Sequence, residues 1–464
     1  MRGIFKKIIV KILTWQALFL LKRNNPKIIA ITGNLGKTST KDSIYAALHK
    51  NLLNENGESL VLASKKSMNS DFGIPLTILG MESGWANPFL WFKIILNGFV
   101  KMFDKFPYKY LILEIGADMP GDIKKVCEFI KPNIVVLTAF AEVPVHIEFF
   151  DNKRESLVKE KKYLVENLKN QGTFIYNLDD EDCVNIAKEM EGRDISQKSF
   201  SLKNPEADIF AKDIKIESES VNKFVTKVAG VSGEVFLKND NKYSVKIVDN
   251  LGQAIFYSIL PAILIAEIFN VDIEKAIKDI EKNKETKGRM RLLEGIYNST
   301  IIDDTYNSSP KALKHGIEVV KSLDIGEGKK IFVIGDMLEL GDFTKQEHER
   351  IGEMLVNIAD ILIVSGVRAK FIGEAAIAKG MNKDNVYFAS SSLEAGRKAL
   401  SVLESEIEKD YKAGRSESEL GGDLVFIKGS QGARMEKVAR ILLNREIHDP
   451  EEVLVRQEKV WERK

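Results

Sequence analysis

The chain has 464 residues, with 68 Lys or Arg against 67 Asp or Glu, a formal net charge of +1 and 44% hydrophobic residues. That length exceeds one ordinary core and implies two or three domains, while the balanced charge excludes the global field of a nucleic-acid binder. Cys127 and Cys183, the two cysteines, have no metal-like spacing and form no disulfide framework, which fits a cytoplasmic protein.

Residues 1–25 form an apolar, basic lead-in, and within 4–21 the longest uncharged run, Ile12 to Leu21, is ten residues. A bilayer-spanning helix needs about 20 apolar residues, and no small-residue cleavage site marks a secretory signal. Two readings stay open: an amphipathic helix lying on a membrane surface, or a helix packed on the protein's own body or a partner. A second apolar, aromatic stretch, 85–103, adds weight to the surface reading and to a place at the inner face of the membrane.

The next section, residues 26–287, begins with "KIIAITGNLGKTSTKD". An apolar strand runs into a glycine turn, a lysine and hydroxyls, and a helix follows. Gly33 and Gly36 let the backbone curl around phosphate, and amides at the helix N-terminus face the anion. Lys37 reaches the outer phosphates and Thr38 offers its hydroxyl to Mg²⁺. The first glycine comes two residues later than in the usual phosphate loop. Strands "YLILEIG", "NIVVLTAF" and "GTFIYNLDD" then alternate with helices, which implies a mostly parallel sheet. Residues from about 207 to 250 read as a small antiparallel β patch.

Residues 288–464 open a second α/β unit with "STIIDDTY", "KKIFVIGDM", "DILIVSG", "NVYFAS" and "DLVFIKGS". The fold class is therefore α/β: a P-loop-type central ATPase domain with a mostly parallel sheet, followed by a Rossmann-like C-terminal domain. The polar, glycine-rich stretch 409–423 reads as a flexible surface loop.

Candidate chemistry lies where strands end. Glu114 ends a strand, where a carboxylate holds Mg²⁺ or merely faces water. His146 and Glu148 follow the next strand, and His146 alone reads equally as a hydrogen-bonded loop residue. Lys161 sits in a charged helix and by itself reads as solvated. Asp303 and Asp304 end a strand, suiting a ribose, a metal or a helix cap. Arg289 stands at the junction of the two units. "GDMLELG" and "KGSQG" are further polar turns converging on the same sheet edge.

Taken in order, "ITGNLGKTSTK", "LEIGADMPGDI", "HIEFF", "DDTYNSSP", "IGDMLELGDFTKQEH" and "KGSQGARMEKV" resemble the Mur ligase family. Within it they are most similar to the branch that joins D-alanyl-D-alanine to a muramyl tripeptide in peptidoglycan precursor synthesis. The resemblance implies an ATP-dependent amide ligase working through an acyl phosphate. It implies that Gly33, Asn34, Gly36, Lys37, Thr38 and Ser39 cradle ATP, and that Asn69, Arg289, Asp304 and Asn307 contact the nucleotide. Glu114, His146 and Thr38 match metal ligands for two Mg²⁺ sites. Lys161 falls where the family carries a lysine carbamylated by CO₂, which reverses the solvated reading, so Lys37, Lys161, His146 and Glu114 form the catalytic set. Lys428 and Ser430 fall on the side of the incoming amine.

Two departures stand out. The phosphate loop comes so early that the family's usual N-terminal UDP-binding domain has no room before it. The family's Gly-x-His-Asn turn reads Gly252-Gln253-Ala254-Ile255. A related ligase acting on another, membrane-presented peptide therefore stays open, as does a non-catalytic nucleotide-binding homologue.

Overall fold

The computed structural model describes residues 2–64, 69, 72–84, 87–220, 226–283, 287–416, 419–458 and 461. Fifteen strands are present among them: β1 (Lys27–Thr32), β2 (Val61–Ala63), β3 (Tyr110–Glu114), β4 (Ile134–Leu137), β5 (Thr173–Asn177), β6 (Ser196–Ser201), β7 (Ile209–Ser220), β8 (Thr226–Leu237), β9 (Lys242–Val248), β10 (Arg291–Glu294), β11 (Thr300–Asp304), β12 (Lys330–Gly335), β13 (Ile361–Ser365), β14 (Val386–Ala389) and β15 (Leu424–Lys428). The helices that matter below are α1 (Arg2–Asn24), α2 (Lys37–His49), α3 (Gly73–Ile78), α4 (Pro88–Phe103), α5 (Asp122–Cys127) and α6 (Arg154–Glu166).

The first sheet has nine strands in the order β2-β3-β1-β4-β5-β6-β7-β8-β9. Pairing is parallel from β2 to β7 and antiparallel from β7 to β9. The antiparallel patch read from the sequence is thus the edge of the main sheet. Strands β1 and β4 are almost wholly buried, the continuous apolar pattern of parallel strands covered on both faces, whereas β9 alternates buried and exposed. The chain leaves β1 toward β2 on one side and returns to β4 on the other, which opens a crevice at the carboxyl ends of β3, β1 and β4.

The second sheet has the order β10-β11-β15-β12-β13-β14, parallel except for β10. It meets the first through named contacts. Asn250 Nδ2 donates to the Arg289 carbonyl at 2.8 Å, Lys311 Nζ to the Phe140 carbonyl at 2.9 Å, and Asn152 Nδ2 to Asp342 at 3.0 Å.

One sequence expectation changes, and for the lead-in one of the two open readings, packing on the protein's own body, is seen on one face. The stretch 409–423 is a loop only in its later part, because a helix from Ser392 runs through Lys412. Its polar composition misled: Lys409–Glu406 at 2.7 Å and Lys412–Glu408 at 3.8 Å are helix-spaced ion pairs. Arg415, 2.8 Å from Asp410 and paired with Glu327, then ties down the turn. The lead-in is helix α1, and it packs on the protein's own body through Ile9, Leu13, Ala17 and Leu20, a repeat of about four residues. No described helix is long and apolar enough to cross a membrane.

Candidate active site

The glycine loop joins β1 to α2 over the end of β4. Gly33 has φ 144°, and a Cβ there would lie 2.0 Å from Thr138 Oγ1. Gly36, at φ 80°, is the N-cap of α2, a conformation that favours glycine. The loop is tied to β4 by Asn34 N–H donating to the Ala139 carbonyl at 2.7 Å and Thr138 Oγ1 donating to Leu35 O at 2.6 Å. Lys37 is half-buried and folds back over the loop, donating to Gly33 O at 2.9 Å and Asn34 O at 3.4 Å. Burial lowers its pKa, and the charge of Arg289 adds to the effect. Ser39 lies half-buried on the first turn of α2.

Glu114 at the end of β3 is 2% exposed. Thr38 Oγ1 donates to its Oε2 at 2.9 Å and Asn69 Nδ2 to its Oε1 at 3.1 Å. Arg289 Nη2 reaches Thr38 Oγ1 at 3.2 Å, and its guanidinium stacks 4.3 Å from the Tyr306 ring centroid. An arginine from the start of the second unit therefore closes on the phosphate loop of the first. Its Nε is buried with no hydrogen-bond partner among the described residues.

His146 adopts φ 72° and sits between two carboxylates, with Nε2 3.6 Å from Asp118 and Nδ1 2.8 Å from Glu339. The Glu339 contact is close enough for an ion pair, but Nδ1 is not aligned for a hydrogen bond. The proximity of His146 holds the Glu339 carboxyl below its usual range. Lys161, on α6, is 2% exposed. Burial, and then the charge of Lys37, lowers its pKa to about 7. Its neighbour Glu160 accepts from Gly121 N at 2.9 Å and Ile123 N at 2.8 Å, anchoring α6 to the start of α5.

The remaining candidates gather at the carboxyl edge of the second sheet. Lys428 Nζ lies 2.5 Å from Asp304 Oδ2 and donates to Asn307 O at 3.0 Å. Asn307 Oδ1 accepts from Gln431 N at 3.3 Å, and Ser430 Oγ accepts from Leu338 N at 2.9 Å. Lys428 and Ser430 thus hold the turns together in this structure. Asp303 takes two bonds from Thr305, at 3.2 and 2.6 Å, and burial pushes its carboxyl up to about 6.

Lys37, Thr38, Glu114, Asn69 and Arg289 therefore form one cluster, His146 a second, and Asp304, Asn307, Lys428 and Ser430 a third, with Tyr306 linking the third to Arg289. Sequence reasoning passed over Asp118 and Glu339, although both lie in motifs it had marked, "GADMPGD" and "GDMLELG". It also missed Arg456, which donates to Thr305 O at 3.1 Å and to Tyr306 O and so supports the DDTYN turn. Among the described residues no three His, Cys, Asp or Glu side chains gather as a ready-made metal site.

Residues 93–255 match the Mur ligase middle domain, and residues 288–431 match the Mur ligase glutamate ligase domain. The UDP-N-acetylmuramoyl-tripeptide–D-alanyl-D-alanine ligase of Bacillus subtilis is 26% identical over 424 residues, covering 91% of this chain and 77% of its own. The ligase of the same name from Rickettsia prowazekii is 24% identical over 426 residues, covering 91% and 80%. The crystal structure of MurF ligase from Thermotoga maritima in complex with ADP has the same fold, with a TM-score of 0.69 at 23% identity over 93% of this chain and 83% of that one.

Proposed function

Because the chain belongs to the Mur ligase family, we propose that it joins D-alanyl-D-alanine to the carboxylate of a muramyl tripeptide at the expense of ATP. A carboxylate oxygen attacks the γ-phosphorus and ADP leaves. The dipeptide amine then attacks the acyl carbon, loses a proton, and phosphate departs as the amide forms. The observation that carries this reading is the convergence of Lys37, Thr38 and Glu114 with Arg289 from the second unit. Phosphoryl transfer needs positioning and neutralisation of charge more than covalent help. The loop amides and Lys37 would hold the outer phosphates, Arg289 would add a second cation, and Tyr306 would orient it. We take residues 26–287 as the ATP-binding domain and 288–464 as the closing domain that keeps water from the acyl phosphate.

A divalent cation fits this arrangement, because buried Glu114 accepts hydrogen bonds from the neutral Thr38 hydroxyl and Asn69 amide. Thr38 and Glu114 would hold one Mg²⁺ and His146 a second, which would supply charge neutralisation on phosphate oxygens. Lys161 suits carbamylation: with its pKa near 7, about half is the neutral amine that can take up CO₂ at neutral pH. The carbamate would add the carboxylate that a second cation needs. Asp304 and Asn307 would meet the nucleotide, and Lys428 and Ser430 the amine side.

A second reading keeps the ligase chemistry but supplies the tripeptide from a membrane carrier at the inner face. The exposed Trp15, Phe19, Phe89, Phe92, Phe99 and Phe103 favour it. The test incubates the protein with ATP, Mg²⁺, D-alanyl-D-alanine and either UDP-muramyl tripeptide or a lipid-linked tripeptide, following phosphate and product mass. Amide and ADP with the UDP substrate support the first reading, and amide only with the lipid-linked substrate supports the second. No ADP with any acceptor overturns both.

A further inference from the structure

Helices α1 and α4 bury one side and leave the other open. Between them, Gln16 Nε2 donates to the Ile95 carbonyl at 2.9 Å, and a Cβ at Gly98 would lie 2.1 Å from Gln16 Oε1. This close approach locks the pair together, and Arg23 Nη1 closes it by donating to the Met102 carbonyl at 2.7 Å. Trp15 packs at a tilt against Phe99, 5.9 Å between centroids, and Phe19 likewise against Phe103 at 6.0 Å. Both partners advance by four residues, so the helices run parallel and their outer faces merge into one aromatic surface.

That surface is open on its far side. Phe89, Phe92, Val100 and Phe103 are 86%, 65%, 65% and 75% exposed, and Trp15 is 52% exposed. Phe89, Phe92, Leu96, Phe99 and Phe103, all exposed, recur at three- and four-residue steps, one stripe of a helix. Lys11 and Lys22 fall in the matching stripe of α1, and Lys93 beside Phe92; all three are exposed. Neither helix contains an acidic residue, although Glu82 and Asp104 flank α4. In a chain of net charge +1 this is a local concentration of cations around apolar rings.

We propose that the α1–α4 face docks flat on a membrane surface that carries anionic lipid headgroups. Protruding rings enter the headgroup and acyl boundary while interleaved lysines meet the headgroup charge. The absence of acids on both helices matches an anionic surface, and neither helix can cross the bilayer. The docked face connects to the nucleotide site through a short path. Trp91 of α4 packs edge-on against Phe72 at 4.5 Å, and Phe72 lies three residues after Asn69, which holds Glu114. The inference rests on this surface alone and stands apart from the choice of substrate.

The test is flotation of the full chain with vesicles of phosphatidylcholine alone or mixed with phosphatidylglycerol. The protein is expected to float with the anionic vesicles and to stay behind with the neutral ones. F92E combined with F103E lowers the bound fraction at least about tenfold, as expected from withdrawing two rings from the acyl boundary, and K11E combined with K93E does the same through charge. V367E, at an 84% exposed apolar residue on another surface, floats like the parent. Unchanged melting temperatures establish that the variants are folded. Equal flotation on neutral vesicles overturns the proposal. So does an absence of flotation, including the case in which light scattering finds a dimer that F92E disperses, since the face then belongs to a second copy.

Discussion

Replacing Gly33 by alanine is expected to disable the nucleotide loop through a clash with the neighbouring strand end. The new Cβ would lie 2.0 Å from Thr138 Oγ1 and 3.1 and 3.2 Å from the Ala139 N and O. Thr138 cannot swing away freely, since its hydroxyl is engaged at 2.6 Å with Leu35 O and 3.2 Å with Thr32 O. Overpacking of this kind costs about 1–3 kcal/mol, and a non-glycine residue at φ 144° adds strain of about 1–3 kcal/mol. Gly33→Ala should therefore lower the unfolding free energy by about 2–6 kcal/mol. Thr138→Ala alone should lower it by about 1 kcal/mol through its lost hydrogen bond. The double variant should relieve the hydroxyl clash but neither the strain of a non-glycine residue at φ 144° nor the close Ala139 backbone. Urea unfolding of all four proteins, alongside binding of a fluorescent ATP analogue, measures the cycle. A Gly33→Ala protein within about 0.5 kcal/mol of the parent, or additive single effects, would refute the reasoning.

Three further outcomes are expected. Burial lowers the Lys161 pKa to about 7 in the folded protein, from 10.5 for an exposed lysine, so between those pH values the unfolded chain binds the extra proton. Stability should rise with pH across that window by up to about 1.4 kcal/mol per unit, and the penalty should be fully present below it. Lys161→Met should remove the slope in urea unfolding, and parallel curves for the two proteins would defeat the assignment. Lys428→Met leaves the Asp304 carboxylate without its partner at 2.5 Å, which should cost about 3–5 kcal/mol; Asp304→Asn added to it should restore part of the loss, and a neutral single variant would contradict the pairing. Arg289→Ala should lower kcat/KM for ATP at least about tenfold through a lost charged contact, with Arg289→Lys recovering less than half because lysine lacks the planar stack on Tyr306. Full activity in Arg289→Ala would remove that residue from the site.

Much of the frame was legible in residue order. The β1 run ending in Gly33, Gly36 and Lys37 announced a strand, a phosphate loop and a helix, because glycine placement and apolar periodicity are local signals. Glu114, His146 and Asp304 were legible as polar residues at strand ends, where a doubly wound sheet places its crevice. What they touch was not legible. Asp118 and Glu339 come from different units and meet only around His146, and Arg456 reaches back across 151 residues to Thr305 O. The stretch 409–423 failed for the opposite reason: its composition resembles a loop, yet side-chain ion pairs one helical turn apart stabilise a helix through Lys412.

The amino-acid order by itself determined the α/β pattern, the nucleotide loop and the ordered motifs of a ligase family, since each depends on neighbours a few residues apart. Lys161 marks the limit of that information. Its helix reads as charged and solvated, and only the packing of α6 against α5 in the folded chain buries the amine and brings Lys37 near enough to depress its pKa. The two apolar segments behave likewise. Composition identified them, but the tertiary structure decided that their helices run parallel, bury one stripe each and join the others into a single exposed face. Desolvation and long-range juxtaposition depend on the whole fold, and no local stretch encodes them.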